Sequence, residues 1–143
     1  MYDSLVIAQY IISKCFKEEH PVSNLRLQKL LYLVQGQSYR ILNKKLFDED
    51  FYAWPYGPVI PEIYFQYCGY AGAPISLEYN SIHIDDNVKK MIDKTIKIFS
   101  PYSDWDLVRF THEQDAPWYR YKDTRGLIPK DEIKNYFKQF GGS

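Results

Sequence analysis

The residues with which this chain could do chemistry are few and scattered. Its three histidines, His20, His83 and His112, fall in three different segments, and Cys15 and Cys68 form no CxxC pair. A metal site needs ligands at fixed, close spacings, so no metal ligand set is expected. A phosphate cradle needs several glycines between a strand and a helix. Gly69 and Gly72 instead close a helical stretch, and no lysine follows them, so no nucleotide or other cofactor is expected. The densest polar run is "THEQD", with Thr111, His112, Glu113 and Asp115 inside one turn. Adjacent residues on a helix point in different directions, so this run does not assemble a nucleophile, base and acid. A histidine at a helix end just before "PW" reads as a packing and capping residue rather than a general base. Paired carboxylates for glycoside chemistry cannot be placed. No catalytic residue is assigned, and an enzyme using His112 stands only as a third reading.

Composition narrows the class. The chain has 143 residues, one domain's worth, enough to bury roughly two thirds of the surface of its unfolded form. Hydrophobic residues make up 45% and charged residues 25%, the balance of a soluble globular protein. Basic and acidic side chains number 18 each, which argues against general nucleic-acid binding, where a clustered positive surface is needed. Arg40, Lys44 and Lys45 read as a solvated helix end. Two cysteines are too few for a disulfide framework, so Cys15 and Cys68 are expected as reduced thiols packed in a core. The run "LVIAQYII" is too short and interrupted to span a bilayer, and no secretory signal pattern is present. A cytoplasmic protein is expected. The final "GGS", residues 141–143, reads as a flexible tail or cloning remnant. Aromatic residues reach 17%, with 14 tyrosines. Rings in such number fill either a small core or a partner surface.

The elements that must position these residues are mainly helices. "DSLVIAQYIISKCFKEE" can be capped by Asp3, with Leu5, Ala8, Ile12 and Cys15 at helical spacing and Ile7, Ile11 and Phe16 widening the apolar face. "SNLRLQKLLYLVQGQSYRILNKKLF" is the strongest helical pattern. Leu27, Leu30, Leu31, Val34 and Ile41 form one stripe, beside a second of Gln28, Tyr32, Gln35 and Tyr39. Gly36, at mid-helix, suits the close approach of another backbone. Further helices are expected in "PEIYFQYCGY", in "DDNVKKMIDKTIKIFS" with Val88, Met91, Ile92, Thr95 and Phe99 buried, and in "SDWDLVRFTHEQ". The last of these has Ser103 and Asp106 at capping-box spacing, with Trp105, Val108 and His112 on one side. "PWYRYKDTRG" reads as a loop after Pro117. "IPKDEIKNYFKQF" closes the chain, with Ile133, Tyr136, Phe137 and Phe140 at helical spacing. "SIHID" reads as an edge strand or extended linker. The expected fold is a compact, mainly α single-domain bundle of about six helices with at most a short extended or β segment.

"AWPYGPVIPEIY", residues 53–64, is stiff and apolar. Pro55 takes Trp54 out of helical geometry, "YGP" makes a turn, and Pro61 suits the first turn of a helix. Trp54 is expected as a core plug against the central helix.

Three segments in order, "LRLQKLLYLVQGQSY", "FYAWPYGPVIPEIY" and "LVRFTHEQDAPWYRY", with a final "IPKDEIKNYF", resemble the Panacea domain. This is the SocA-like antitoxin family, which includes phage-associated GepA-type proteins. The resemblance spans residues 3–140. Its motifs are carried by Leu27, Gln28, Lys29, Leu30, Leu31 and Tyr32, then by Trp54, Tyr56, Gly57, Pro58 and Val59, then by Thr111, His112, Pro117 and Trp118. It implies a compact helical antitoxin that neutralises a toxin encoded beside it by direct protein contact, with no cofactor and no catalysis. A motif shared among antitoxins of unrelated toxins implies mainly structural roles for these positions. The alternative it implies is a proteolytic adaptor or phage-associated regulatory module that binds a host protein, a host protease in the case of an adaptor. Tyr32, Tyr39, Trp54, Tyr56 and Tyr64 are the candidate partner anchors, because tyrosine stripes flank the proline-rich run.

Overall fold

The computed structural model describes residues 1–140, and the expected tail at 141–143 lies outside them. Among the described residues the order is α1 (Ser4–Lys17), α2 (Asn24–Gln37), β1 (Phe51–Trp54), β2 (Gly57–Val59), α3 (Pro61–Gln66), α4 (Asp86–Phe99), α5 (Asp104–Thr111), α6 (Pro117–Tyr121), β3 (Leu127–Ile128) and α7 (Lys130–Gln139). The chain is mainly helical, as expected, with a seventh helix and a third strand.

Helix α2 is the axis. Every residue from Leu27 to Gly36 is buried, so both of its expected stripes lie inside. Helices α1, α4, α5 and α7 and strand β2 all pack on it. Each fully buried leucine-sized side chain contributes roughly 1.5–3 kcal/mol, which makes this helix the centre of the core. Ser23 caps it, accepting from the amide of Arg26 at 3.1 Å. Gly36 does admit a close neighbour, but the neighbour is a ring: a Cβ there would sit 2.4 Å from Phe137.

The α-helix ends at Gln37, well short of the apolar pattern. Ser38–Leu42 form a π-helical turn, and Asn43 follows in the left-handed region at φ 58°. A π turn takes an extra residue per turn, so the stripe slips out of phase. Tyr39 turns inward while Ile41 ends 46% exposed. Gln35 then draws the returning chain against α2. Its Oε1 accepts from the Leu46 amide at 2.8 Å and its Nε2 donates to the Phe47 carbonyl at 2.9 Å.

The sheet order is β2-β1-β3, antiparallel throughout. Tyr52 pairs with Val59 and Phe51 with Ile128. Strand β1 alternates, sending Phe51 and Ala53 into the core and Tyr52 and Trp54 to the outer side. Trp54 is therefore no core plug. The hairpin turn sits at Pro55–Tyr56, one step before the expected "YGP", and Gly57 supplies a φ of 111° as β2 begins. Pro58 has no amide to donate, which an edge strand tolerates.

Capping follows the local sequence elsewhere. Asp3 accepts from the Leu5 amide at 3.0 Å, and Ser103 and Asp106 complete both bonds of a capping box. Helix α4 buries Val88, Met91, Ile92 and Thr95. Of the two forms expected of "SIHID", it takes the linker and not the strand; the chain before it is tied to α1, with the Tyr79 amide donating to Ser13 Oγ at 2.6 Å. Several other local expectations fail where packing decides. Pro117 starts α6 rather than a loop. Phe16, expected on the apolar face of α1, is exposed, and so are Trp105 and Phe140, although Val108 and Phe137 on their helices are buried. Cys15 is buried, and burial pushes its thiol up to about 11. Cys68 is exposed, contrary to the core position expected of it. No helix of the described residues is long and apolar enough to cross a membrane.

Candidate interaction site

The three motif segments meet at the β1–β2 hairpin. Helix α2 reaches it with consecutive polar side chains. Lys29 Nζ donates to the Pro58 carbonyl at 2.9 Å. Gln28 Oε1 accepts from the Ile60 amide at 2.9 Å, and its Nε2 donates to Asn24 Oδ1 at 3.1 Å. Asn24 passes the contact on, donating from Nδ2 to the Tyr64 carbonyl at 3.0 Å. From the other side, Trp118 Nε1 of α6 donates to the Trp54 carbonyl at 2.7 Å. Backbone groups of Trp54, Pro58, Ile60 and Tyr64 are thus each held by a side chain from another element. A buried backbone group without such a partner costs about 1–3 kcal/mol, so the clamp stabilises one hairpin position.

Gly57 lies where the clamp closes. A Cβ on it would stand 2.7 Å from Lys29 Cε and 2.7 Å from Thr111 Oγ1. Thr111 is itself buried, donating to the Val108 carbonyl at 2.7 Å. His112 lies flat on Trp118, with ring centroids 3.7 Å apart and planes 10° from parallel. Its Nε2 is buried and has no hydrogen-bond partner.

Electrostatics follow from burial. Lys29 has no exposed surface, and burial lowers its ammonium from 10.5 to about 7. His112 is held below its ordinary value by burial first and then by the Lys29 charge. The Tyr32 hydroxyl is buried without a partner, and burial raises it far above the ordinary tyrosine range. Lys29, Thr111 and His112 look like a catalytic set on paper, yet the Lys29 amine and His112 Nε2 are sealed from solvent. No group of three or more His, Cys, Asp or Glu side chains able to hold a metal occurs among the described residues.

Above the clamp lies an exposed aromatic face. Trp54 packs edge-on against Tyr64 at 5.2 Å and against Phe65 at 6.1 Å. Tyr56, at the hairpin tip, packs edge-on against Trp105 of α5 at 5.4 Å. Phe65, Tyr56 and Trp105 are 63%, 59% and 53% exposed. The candidate anchors therefore divide. Trp54, Tyr56 and Tyr64 reach the surface. Tyr32 and Tyr39 do not: Tyr32, on the covered α2, packs between Phe51 and Phe137, and Tyr39 is turned inward by the π turn after α2. Phe65 and Trp105 join the first three at the surface without being among the expected anchors. The sequence signal for Phe65 is its place beside Tyr64 in a short proline-started helix, of which the structure buries Ile63.

The remaining motif positions lie inside the fold. Leu27, Leu30, Leu31 and Val59 are core residues, and Pro117 is buried at the start of α6.

The family described as antitoxin SocA-like, Panacea domain, matches residues 27–119. The chain belongs to this family. The matched stretch runs from the first buried leucine of α2 into α6, so the Panacea match contains the hairpin, the aromatic face and all of the clamp except Asn24. Antitoxin SocA of Caulobacter vibrioides (strain NA1000 / CB15N) is 28% identical over 130 residues, covering 81% of this chain and 68% of that protein. No solved structure matches the chain.

Proposed function

We propose that this protein is an antitoxin that neutralises a toxin encoded beside it by direct contact, without catalysis of its own. The observation that carries the reading is the aromatic face of Trp54, Tyr56, Tyr64, Phe65 and Trp105, displayed on a hairpin and helix clamped from beneath. Aromatic anchors dominate binding energy at protein interfaces, and a scaffold held in one position loses little entropy on binding. Membership of an antitoxin-like family and the likeness to antitoxin SocA support the same reading. The sealed position of Lys29 and His112 supports a role in holding the hairpin over one in turnover.

Co-expression with the product of the adjacent gene tests this. The expected result is a neighbour that arrests growth alone, is relieved by this chain, and co-purifies with it. A harmless neighbour, or one that stays toxic and never co-purifies, overturns the proposal. Relief that vanishes in a protease-deficient host, with the toxin then accumulating in active form, would replace inhibition by delivery to that protease.

A further inference from the structure

We infer that the outer edge of β3 receives an extended segment of the protein partner as an added strand, hydrogen-bonded at Leu127. The inference rests on the toxin-binding reading above and names the form in which the partner's chain arrives.

The first observation is that the two edges of the sheet are unequal. The order β2-β1-β3 leaves β2 and β3 outermost. On β2, Pro58 has no amide, and its carbonyl is taken by Lys29 Nζ at 2.9 Å. No backbone group of Pro58 is left to pair. On β3, the Ala53 amide donates to the Gly126 carbonyl at 2.9 Å, and Phe51 pairs with Ile128. Hydrogen-bonding direction alternates along an antiparallel strand. Gly126 and Ile128 therefore face β1, and the amide and carbonyl of Leu127 face away from it. Among the described residues neither of these two groups has a hydrogen-bond partner.

The second is that the open edge is bounded. On one side the exposed Arg125 leaves strand geometry at φ 54°. On the other, Pro129 has no amide, and its carbonyl accepts from the amides of Glu132 at 3.1 Å and Ile133 at 3.3 Å at the start of α7. Leu127 is thus the residue that offers both groups, and a single residue of an antiparallel strand satisfies both. The bounds fix the register of the added strand.

The third is what lies beside the edge. Leu127 is 41% exposed and stands opposite Tyr52. Residues so paired share one face of the sheet. Trp54, two residues along β1, lies on that face too, with Tyr64 and Phe65 against its ring. The edge therefore continues into the aromatic face. A partner helix laid over these rings brings no free main-chain donor and acceptor, so it would desolvate the Leu127 groups unpaired, which is costly. An extended segment brings both at strand spacing. The residue it sets opposite Leu127 shares the apolar face, which suits a β-branched or aromatic side chain. A second copy paired edge to edge would bring only the same single residue, against the roughly 1,000 Å² that a stable interface buries. A partner already seated on the aromatic face adds the strand to a larger contact.

The test uses the full chain and the purified product of the adjacent gene. Amide exchange is followed by NMR in the free chain and in the complex. Dissociation constants are measured for Leu127→Pro and Leu127→Ala, with thermal unfolding recorded for each. Both variants lose the leucine side chain, and Leu127→Pro also loses the amide, which the free fold does not use. The expected result is a Leu127 amide that exchanges at least about tenfold more slowly in the complex than in the free chain. Leu127→Pro should bind about tenfold more weakly than Leu127→Ala. A Leu127 amide that exchanges equally in both states, or Leu127→Pro binding like Leu127→Ala, overturns the inference while leaving toxin binding in place. So does a chain that dimerises alone with its Leu127 amide already protected. Absence of wild-type binding overturns both. Amide exchange on the wild-type pair needs no substitution, so a variant that fails to fold does not prevent the decision.

Discussion

Lys29 Nζ donates to the Pro58 carbonyl oxygen across 2.9 Å, inside the protein and without an ion pair among the described residues. A buried ammonium is costly unless neutralised or paired, so this contact ties the state of one side chain to the position of the hairpin. The site's most testable properties follow from it.

Stability should rise with pH above neutrality because of Lys29. Its folded pKa of about 7 lies below the ordinary 10.5. Between those values the unfolded chain holds the proton and the folded chain does not, so unfolding takes up a proton. Stability then climbs with pH by up to about 1.4 kcal/mol per unit, and below the folded pKa the penalty is fully present. Urea midpoints from pH 7 to 8 should rise in the wild type and stay nearly flat in Lys29→Met. Toward pH 9 the raised Cys15 thiol acts in the opposite direction, because the unfolded thiol ionises there while the folded one does not. A wild-type midpoint that does not rise would show that Lys29 keeps its charge in the folded state.

His112 should act on the acid side. Burial and the Lys29 charge lower its folded pKa below 6.5. The unfolded chain therefore takes up the proton first, and stability present above pH 6.5 is lost as pH falls below it. His112→Phe keeps a flat ring on Trp118 and should remove that part of the acid loss. Equal pH profiles for the two proteins between pH 5 and 7 would contradict this.

Gly57→Ala should cost roughly 2–4 kcal/mol, combining a positive φ with overpacking. The added methyl would meet both Lys29 and Thr111 at 2.7 Å. Denaturant unfolding measures the loss. Thr111→Ala in the Gly57→Ala background should restore part of it, since only one of the two clashes then remains.

Tyr56→Ala and Trp105→Ala should separate binding from folding. Both rings are more than half exposed and pack edge-on against each other, so each change should move stability by no more than about 1 kcal/mol. On the toxin-binding reading each should weaken neutralisation by at least about tenfold, the scale of an aromatic anchor. Growth assays beside urea unfolding check both halves. Tyr32→Phe serves as an internal comparison: it removes a buried, unpartnered hydroxyl and should leave neutralisation intact.

Much of this protein was legible from its residues. Local chemistry announced the caps at Asp3 and Ser103, the start of α3 at Pro61 and the central place of α2, because these depend on neighbours within one turn. The motif positions from Leu27 to Trp118 could be named, but not their meeting point. Tyrosine spacing placed Tyr32 and Tyr39 beside Tyr56, yet a two-sided helical pattern does not say whether its second side is covered. In the fold it is covered, by β1, α7 and the returning chain. The four-residue strand β1 was too short for its alternation to show that Trp54 faces outward. The π turn after Gln37 shifted a phase that a regular helix would have kept. The sequence by itself determined a helical chain with an aromatic, proline-stiffened corner. Only the tertiary structure decided that Lys29 is sealed beneath that corner while Tyr56, Phe65 and Trp105 stand above it. The reason is physical: burial is set by which distant segments arrive on each side, and no local spacing carries that information.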